Sequence, residues 1–133
     1  GLEKITSLHG IYMYVLSNLV DVLAKTNHKD KGICQKRFET AKRCAENVLY
    51  NKEKKAFLNA KDNYLHSVHS AVWMVLGGAI TGREAKKLLL NALNSADSIK
   101  PFTPYLHHYV TEAMIRLGLL NKAEEYIKNT GEE

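Results

Sequence analysis

The chain has 133 residues, 45% of them hydrophobic and 25% charged. That is long enough for a single domain with its own core, and the composition is ordinary for a globular protein. The net charge of +5 does not point to nucleic acid, because Asn51–Lys55 and Arg83–Lys87 mix glutamates among their basic residues and lack interleaved aromatics. The longest apolar run, around Ala71 to Ile80, is too short to cross a bilayer, so no membrane partner is expected. The start at Gly1 carries neither the basic stretch nor the small-residue cleavage pattern of a secretory leader, and the compartment is not legible.

Apolar residues recur at helical spacing throughout, and the only prolines are Pro101 and Pro104. The first predicted helix covers about 5–26 and the second 31–50. Cys34 and Cys44 both fall on the second, ten residues apart. At about 1.5 Å of rise per residue they are too distant to bridge, and no Cys-x-x-Cys suggests zinc. The link Lys54–Asn63 follows, where Phe57-Leu58 reads as a short strand or a buried plug. A third helix is predicted over 64–79, ended by Gly77-Gly78 in a left-handed conformation. Thr81 to Glu84 is a capping-box pattern opening a fourth helix over 82–96. Thr103 caps a fifth over 104–117, with Pro104 in the first turn and Gly118 past the end. A sixth covers 120–129, with a second capping pattern from Asn121 to Glu124.

The helices alternate in kind. The first, third and fifth are apolar almost all round, whereas the second, fourth and sixth carry one apolar stripe. On the fourth, Ala85, Leu88, Leu89, Ala92 and Leu93 form that stripe and Lys86, Lys87 and Asn91 the wet face. A helix greasy on every side is surrounded, and one with a single stripe lies outside. The expected fold is therefore all-α: one domain over 1–133, built from three αα-hairpins with an inner and an outer helix each. Internal echoes agree. Ser7-Leu8-His9 with Val15-Leu16 returns as Ser67-Val68-His69 with Val75-Leu76, and Tyr64-Leu65-His66 with Leu76-Gly77 returns as Tyr105-Leu106-His107 with Leu117-Gly118. A period near 40 with two helices per unit marks an αα-repeat, either a solenoid or a closed toroid.

Five of the six histidines, His9, His66, His69, His107 and His108, lie near the starts of the inner helices. His66, His69 and Trp73 share one helical stripe, and Tyr105, His108 and Glu112 share another. At helix N-termini imidazole is pushed toward its neutral form, which both donates and accepts hydrogen bonds. Neutral imidazole, phenol and indole together suit a hydroxyl-rich, partly apolar ligand such as a sugar. The candidate binding residues are His66, His69, Trp73, Tyr105, His107 and His108. The competing reading is that each histidine satisfies a neighbouring helix end or a buried carbonyl. His66 and His69 have the spacing of a metal pair, but only Asp62 and Glu112 offer carboxylates nearby, so neither metal nor cofactor is expected.

The stretches SLHGIYMYVLSNLVDVLAKT, HSVHSAVWMVLGG and PYLHHYVTEAMIRLGLLNKAEEYIKN resemble the later hairpins of six-hairpin (α/α)₆ glycosidases, most closely the bacterial α-L-rhamnosidase family. The matching positions include Pro104-Tyr105, His108-Tyr109-Val110, Glu112-Ala113, Gly118, Ala123 and Ile127. The resemblance implies part of an (α/α)₆ toroid and a carbohydrate substrate. It also implies an inverting mechanism with two carboxylates about 6.5–9.5 Å apart. In the family the acid precedes the first of these helices and the base follows the last, so no catalytic residue is assigned within this chain. Glu112 is expected to pair with His108 instead. The implied function is a glycoside hydrolase fragment, hydrolysing terminal deoxy-sugar glycosides as part of a longer protein and inactive alone. The alternative is an αα-repeat interaction module of the tetratricopeptide kind. Because the first and fifth helices would lack neighbours at the ends of an open arc, self-association is expected, in its simplest form a two-fold pair closing six hairpins.

Overall fold

The computed structural model describes residues 3–53, 55–57, 68–95 and 103–130, with the backbone alone for residues 3–5 and 56. Among them are six α-helices: α1 (Glu3–Lys25), α2 (Lys31–Cys44), α3 (Val68–Gly77), α4 (Gly82–Asn94), α5 (Pro104–Arg116) and α6 (Leu120–Thr130). The expected second helix runs on past Cys44 in a different form. At Ala45–Leu49 the backbone widens into a π-helical turn, which leaves Ala45 and Leu49 buried. Tyr50–Asn51 (β1) then pairs antiparallel with Ala56–Phe57 (β2), Tyr50 opposite Phe57. Phe57 is thus both strand and plug, buried with its ring edge-on to Tyr50 at 5.0 Å.

The hairpins pack as the alternation of helix types predicts. α1 lies on α2, α3 on α4 and α5 on α6, while α3 packs between α1 and α5. Every residue of α3 is buried except the half-buried His69. α4 buries Ala85, Leu88, Leu89 and Ala92, with Leu93 half-covered and Lys86, Lys87 and Asn91 outside.

Glycine sets the closest approach. A Cβ on Gly10 would lie 2.7 Å from the backbone carbon of Trp73, and one on Gly77 2.7 Å from the carbonyl oxygen of Gly10. These two glycines let α1 and α3 touch through their backbones. That is why Gly77 stays helical and the left-handed turn falls to Gly78, at φ 82. Gly78 N–H bonds to Val75 O and Ala79 N–H to Met74 O, closing a Schellman motif. Gly118 repeats it with Ile115 and Met114, and Asn27, at φ 52, does so with Ala24 and Leu23. All three inner helices therefore end the same way.

Two start signals behave differently. Thr103 accepts from Leu106 N–H at 3.3 Å, with Pro104 in the first turn. Thr81 sits in the cap position in extended backbone but forms no side-chain cap bond. Asn121 is already inside α6 and caps nothing.

Two inner helices are not surrounded, and of these α5 leaves Tyr105 and Ile115 exposed. α1 leaves Leu8, Tyr12, Val15, Leu19 and Val22 between 41% and 61% exposed. Among the described residues no helix is long and apolar enough to cross a membrane.

Candidate functional site

The aromatic residues of the three inner helices meet. Trp73 stands at the middle of α3, 6% exposed. The Tyr14 ring of α1 meets it edge-on at 5.8 Å, and the Tyr109 ring of α5 lies against it at 4.6 Å. Tyr109 is a hub: Tyr105, one turn earlier, stacks edge-on to it at 4.9 Å, and His108 does so at 5.1 Å. Edge-to-face geometry sets the positive ring edge against the negative face, which holds such a ladder in register. Gly10, one turn before Tyr14, is what brings α1 close enough to Trp73 for this contact.

A charged pair borders the ladder. Arg116 Nη2 donates to Glu112 Oε1 at 2.9 Å, and the Tyr14 hydroxyl donates to the same oxygen at 3.4 Å. The guanidinium also lies 5.3 Å from the centre of the Tyr14 ring, in cation–π range. Glu112 therefore joins α1 to α5. It serves Arg116 and Tyr14 rather than the expected His108, because a salt bridge one helical turn away is its better partner.

The predicted site residues divide. Trp73, Tyr105 and His108 come together through Tyr109. His69, one turn before Trp73, is half-buried, and burial pushes its imidazole below the ordinary 6.5. The cause is desolvation of the charged form rather than the helix terminus. His107 faces the other way: its Nδ1 lies 2.5 Å from the Tyr126 hydroxyl of α6, and burial raises the Tyr126 phenol. His107 and His108 also line a recess of about 250 Å³ with Pro104, Thr111, Ile127 and Thr130. His66, like Asp62, lies outside the described residues. His9 follows the competing reading. Its Nε2 is 2.8 Å from Ala41 O of α2, and since a carbonyl only accepts, that nitrogen carries the proton. His28 holds the turn between α1 and α2 by accepting from Asp30 N–H.

Sequence reasoning missed Tyr14 and Tyr109. Tyr109 had a signal, standing four residues after Tyr105 on the same helical face. Tyr14 had none, because its place beside Trp73 depends on how α1 crosses α3. On the raised Tyr109 phenol the hydrogen bond with Tyr105 is the chief influence, followed by desolvation. Cys34 and Cys44 are free thiols. Cys44 shares a groove of about 440 Å³ with His9, Tyr12, Lys36, Arg37 and Thr40, but the His9 proton there is committed to Ala41. Among the described residues no three His, Cys, Asp or Glu side chains gather to hold a metal.

No protein-family model matches the sequence. No curated protein matches it either. Among solved structures the fold is similar to that of a rhamnosidase from Klebsiella oxytoca with rhamnose bound, at a TM-score of 0.86 and 21% identity. The superposition covers 95% of this chain and 24% of that one, so the chain spans about a quarter of the rhamnosidase's length. The chain is accordingly an all-α arc of three hairpins with the architecture of part of an (α/α)₆ toroid, similar in fold to a segment of a rhamnosidase.

Proposed function

We propose that this chain is part of a glycoside hydrolase and supplies one wall of its sugar pocket. The observation that carries the reading is the Trp73–Tyr109–Tyr105–His108 ladder, in which buried Trp73 and half-buried Tyr109 back the exposed rings of Tyr105 and His108. A deoxy-sugar has one apolar face for an indole or phenol to cover, and hydroxyls at its edge for imidazole and phenol to meet. The depressed His69 imidazole stays neutral at physiological pH and fits that role. The likeness to a rhamnosidase with rhamnose bound supports the same ligand class. Exposed Tyr105 and His108 face the sugar in this reading, Trp73 backs them and half-buried His69 stands at the margin, whereas His107 turns away to Tyr126.

The wall orients the sugar and excludes water, while protonation of the leaving group and activation of the attacking water belong to carboxylates elsewhere in the longer protein. Glu112 is already engaged by Arg116 and Tyr14, and no catalytic role is assigned to it. General acid–base groups contribute about 10²–10⁴-fold each, so the chain by itself should not turn over. The test is an aryl α-L-rhamnoside assay. The longer protein containing this chain should hydrolyse it and the chain alone should not. Turnover by the chain alone, abolished by Glu112→Gln, would place the chemistry inside it. A longer protein inactive on every aryl glycoside would favour the second reading, an interaction module, for which the exposed apolar stripe on α1 speaks.

A further inference from the structure

We infer, resting on the sugar-wall reading, that Glu112 is a sugar-binding residue whose second carboxylate oxygen accepts a hydrogen bond from a hydroxyl of the sugar that Tyr105 and His108 face. Arg116 Nη2 and the Tyr14 hydroxyl both donate to Oε1 of Glu112, at 2.9 and 3.4 Å. Among the described residues no donor meets Oε2. Each oxygen of a carboxylate is an acceptor, so Oε2 keeps its capacity while Oε1 is engaged. The Glu112 side chain is 27% exposed, open enough for a ligand to reach and held by two bonds.

Tyr14 fixes the place of Glu112 in the arc. α3 packs between α1 and α5, so a bond from Tyr14 on α1 to Glu112 on α5 has to cross a face of α3. Trp73 occupies that face, since its ring meets Tyr14 on one side and Tyr109 on the other. Side chains of two flanking helices meet in front of the helix between them only where the layer is concave. Glu112 therefore stands on the concave face, away from the sides of α1 and α5 on which adjoining hairpins of a toroid would pack. It also shares the helical stripe of Tyr105 and His108, one turn beyond His108 and two beyond Tyr105. The step from His108 is about 6 Å along the helix axis. A sugar ring laid against Tyr105 and His108 thus brings its edge hydroxyls toward Oε2. Arg116 and Tyr14 are positioning residues for this acceptor. The guanidinium offsets its charge, and the two bonds, from two different helices, keep the carboxylate from rotating. An acceptor ordered in advance binds a hydroxyl with less loss of freedom, and it rejects an analogue that lacks that hydroxyl.

The test is an NMR titration of the chain and its Glu112→Ala variant with L-rhamnose and with the monodeoxy analogues that each lack one ring hydroxyl. Circular dichroism verifies helix content. One analogue should bind the wild-type chain about tenfold or more weakly than L-rhamnose, as loss of a hydrogen bond to a charged acceptor predicts. Glu112→Ala should bind L-rhamnose more weakly by a similar factor and should no longer separate it from that analogue. A wild-type chain that binds no sugar removes the sugar-wall reading and the Glu112 assignment with it. A wild-type chain that binds L-rhamnose, with affinity and selectivity unchanged in Glu112→Ala, overturns the Glu112 assignment alone. Weaker binding of every sugar with selectivity intact would mean that Glu112 only braces the helices, and overturns it too. Should Glu112→Ala lose helix content, Glu112→Gln, which keeps the shape and removes the charge, decides. It should narrow the selectivity, and an unchanged preference counts against the carboxylate.

Discussion

At the scale of single residues, the site is a set of rings placed by backbone contacts rather than by their own spacing. His69 shows what burial does. Its folded imidazole titrates below 6.5, whereas in the unfolded chain it titrates near that value. Above 6.5 both states hold a neutral ring. As pH falls through 6.5 the unfolded chain takes the proton first, so stability should decline from that point downward until the folded ring protonates too. NMR titration of the His69 ring protons should give a midpoint below 6.5, and a midpoint at or above 6.5 would contradict the buried placement. Gly10 shows the cost of space. Gly10→Ala should destabilise by about 1–3 kcal/mol, because the methyl group meets the Trp73 backbone, which cannot swing aside. Gly32→Ala, where a Cβ meets nothing within 4 Å, should instead stabilise by about 0.5 kcal/mol through lost unfolded-state freedom. Urea denaturation of both variants checks the opposite signs. Trp73, Tyr105 and His108 were legible in the sequence because each sits on a helical stripe. Tyr14 was not, since only the close crossing at Gly10 and Gly77 brings it to Trp73. Glu112 was legible as a paired carboxylate but not as Arg116's partner, for the choice depends on Tyr14 arriving from α1.

Helix ends were the most readable features, and where the reading failed the reason is local. Thr103, Pro104 and Gly118 each do at α5 what their side chains or backbone freedom dictate. Thr81 looked equivalent, but the residue after it, Gly82, takes φ 64 and the cap bond is absent. Thr103→Ala should therefore cost about 1 kcal/mol, and Thr81→Ala should stay within about 0.5 kcal/mol, as for a surface change that removes no bond. Thermal unfolding of the two variants separates them, and equal losses would mean that Thr81 caps after all. The second helix was read as regular throughout because its apolar pattern continues through Leu49. The π turn at Ala45–Leu49 preserves that burial while turning the chain toward β1. Helical periodicity alone cannot register one extra residue per turn.

For the whole molecule, alternation of all-round and one-sided apolar helices was enough to set inner against outer layers. It carried the three-hairpin order from sequence to structure. The first and fifth helices were expected to lack neighbours at the ends of the arc, and the exposed stripe on α1 and the exposed Tyr105 and Ile115 of α5 agree. The sugar wall is the central claim at this scale, and the chain carries its own reporter, since Trp73 is its single tryptophan. The most direct measurement is an NMR titration of the chain with L-rhamnose, following the Trp73 indole N–H and the backbone amides, with D-glucose as the control sugar. Saturable shifts concentrated at Trp73, His69, Tyr105, His108 and Tyr109, with L-rhamnose acting at lower concentration than D-glucose, are the predicted result. Shifts confined to other surfaces, or no shift at Trp73 at the highest sugar concentration reached, would contradict it.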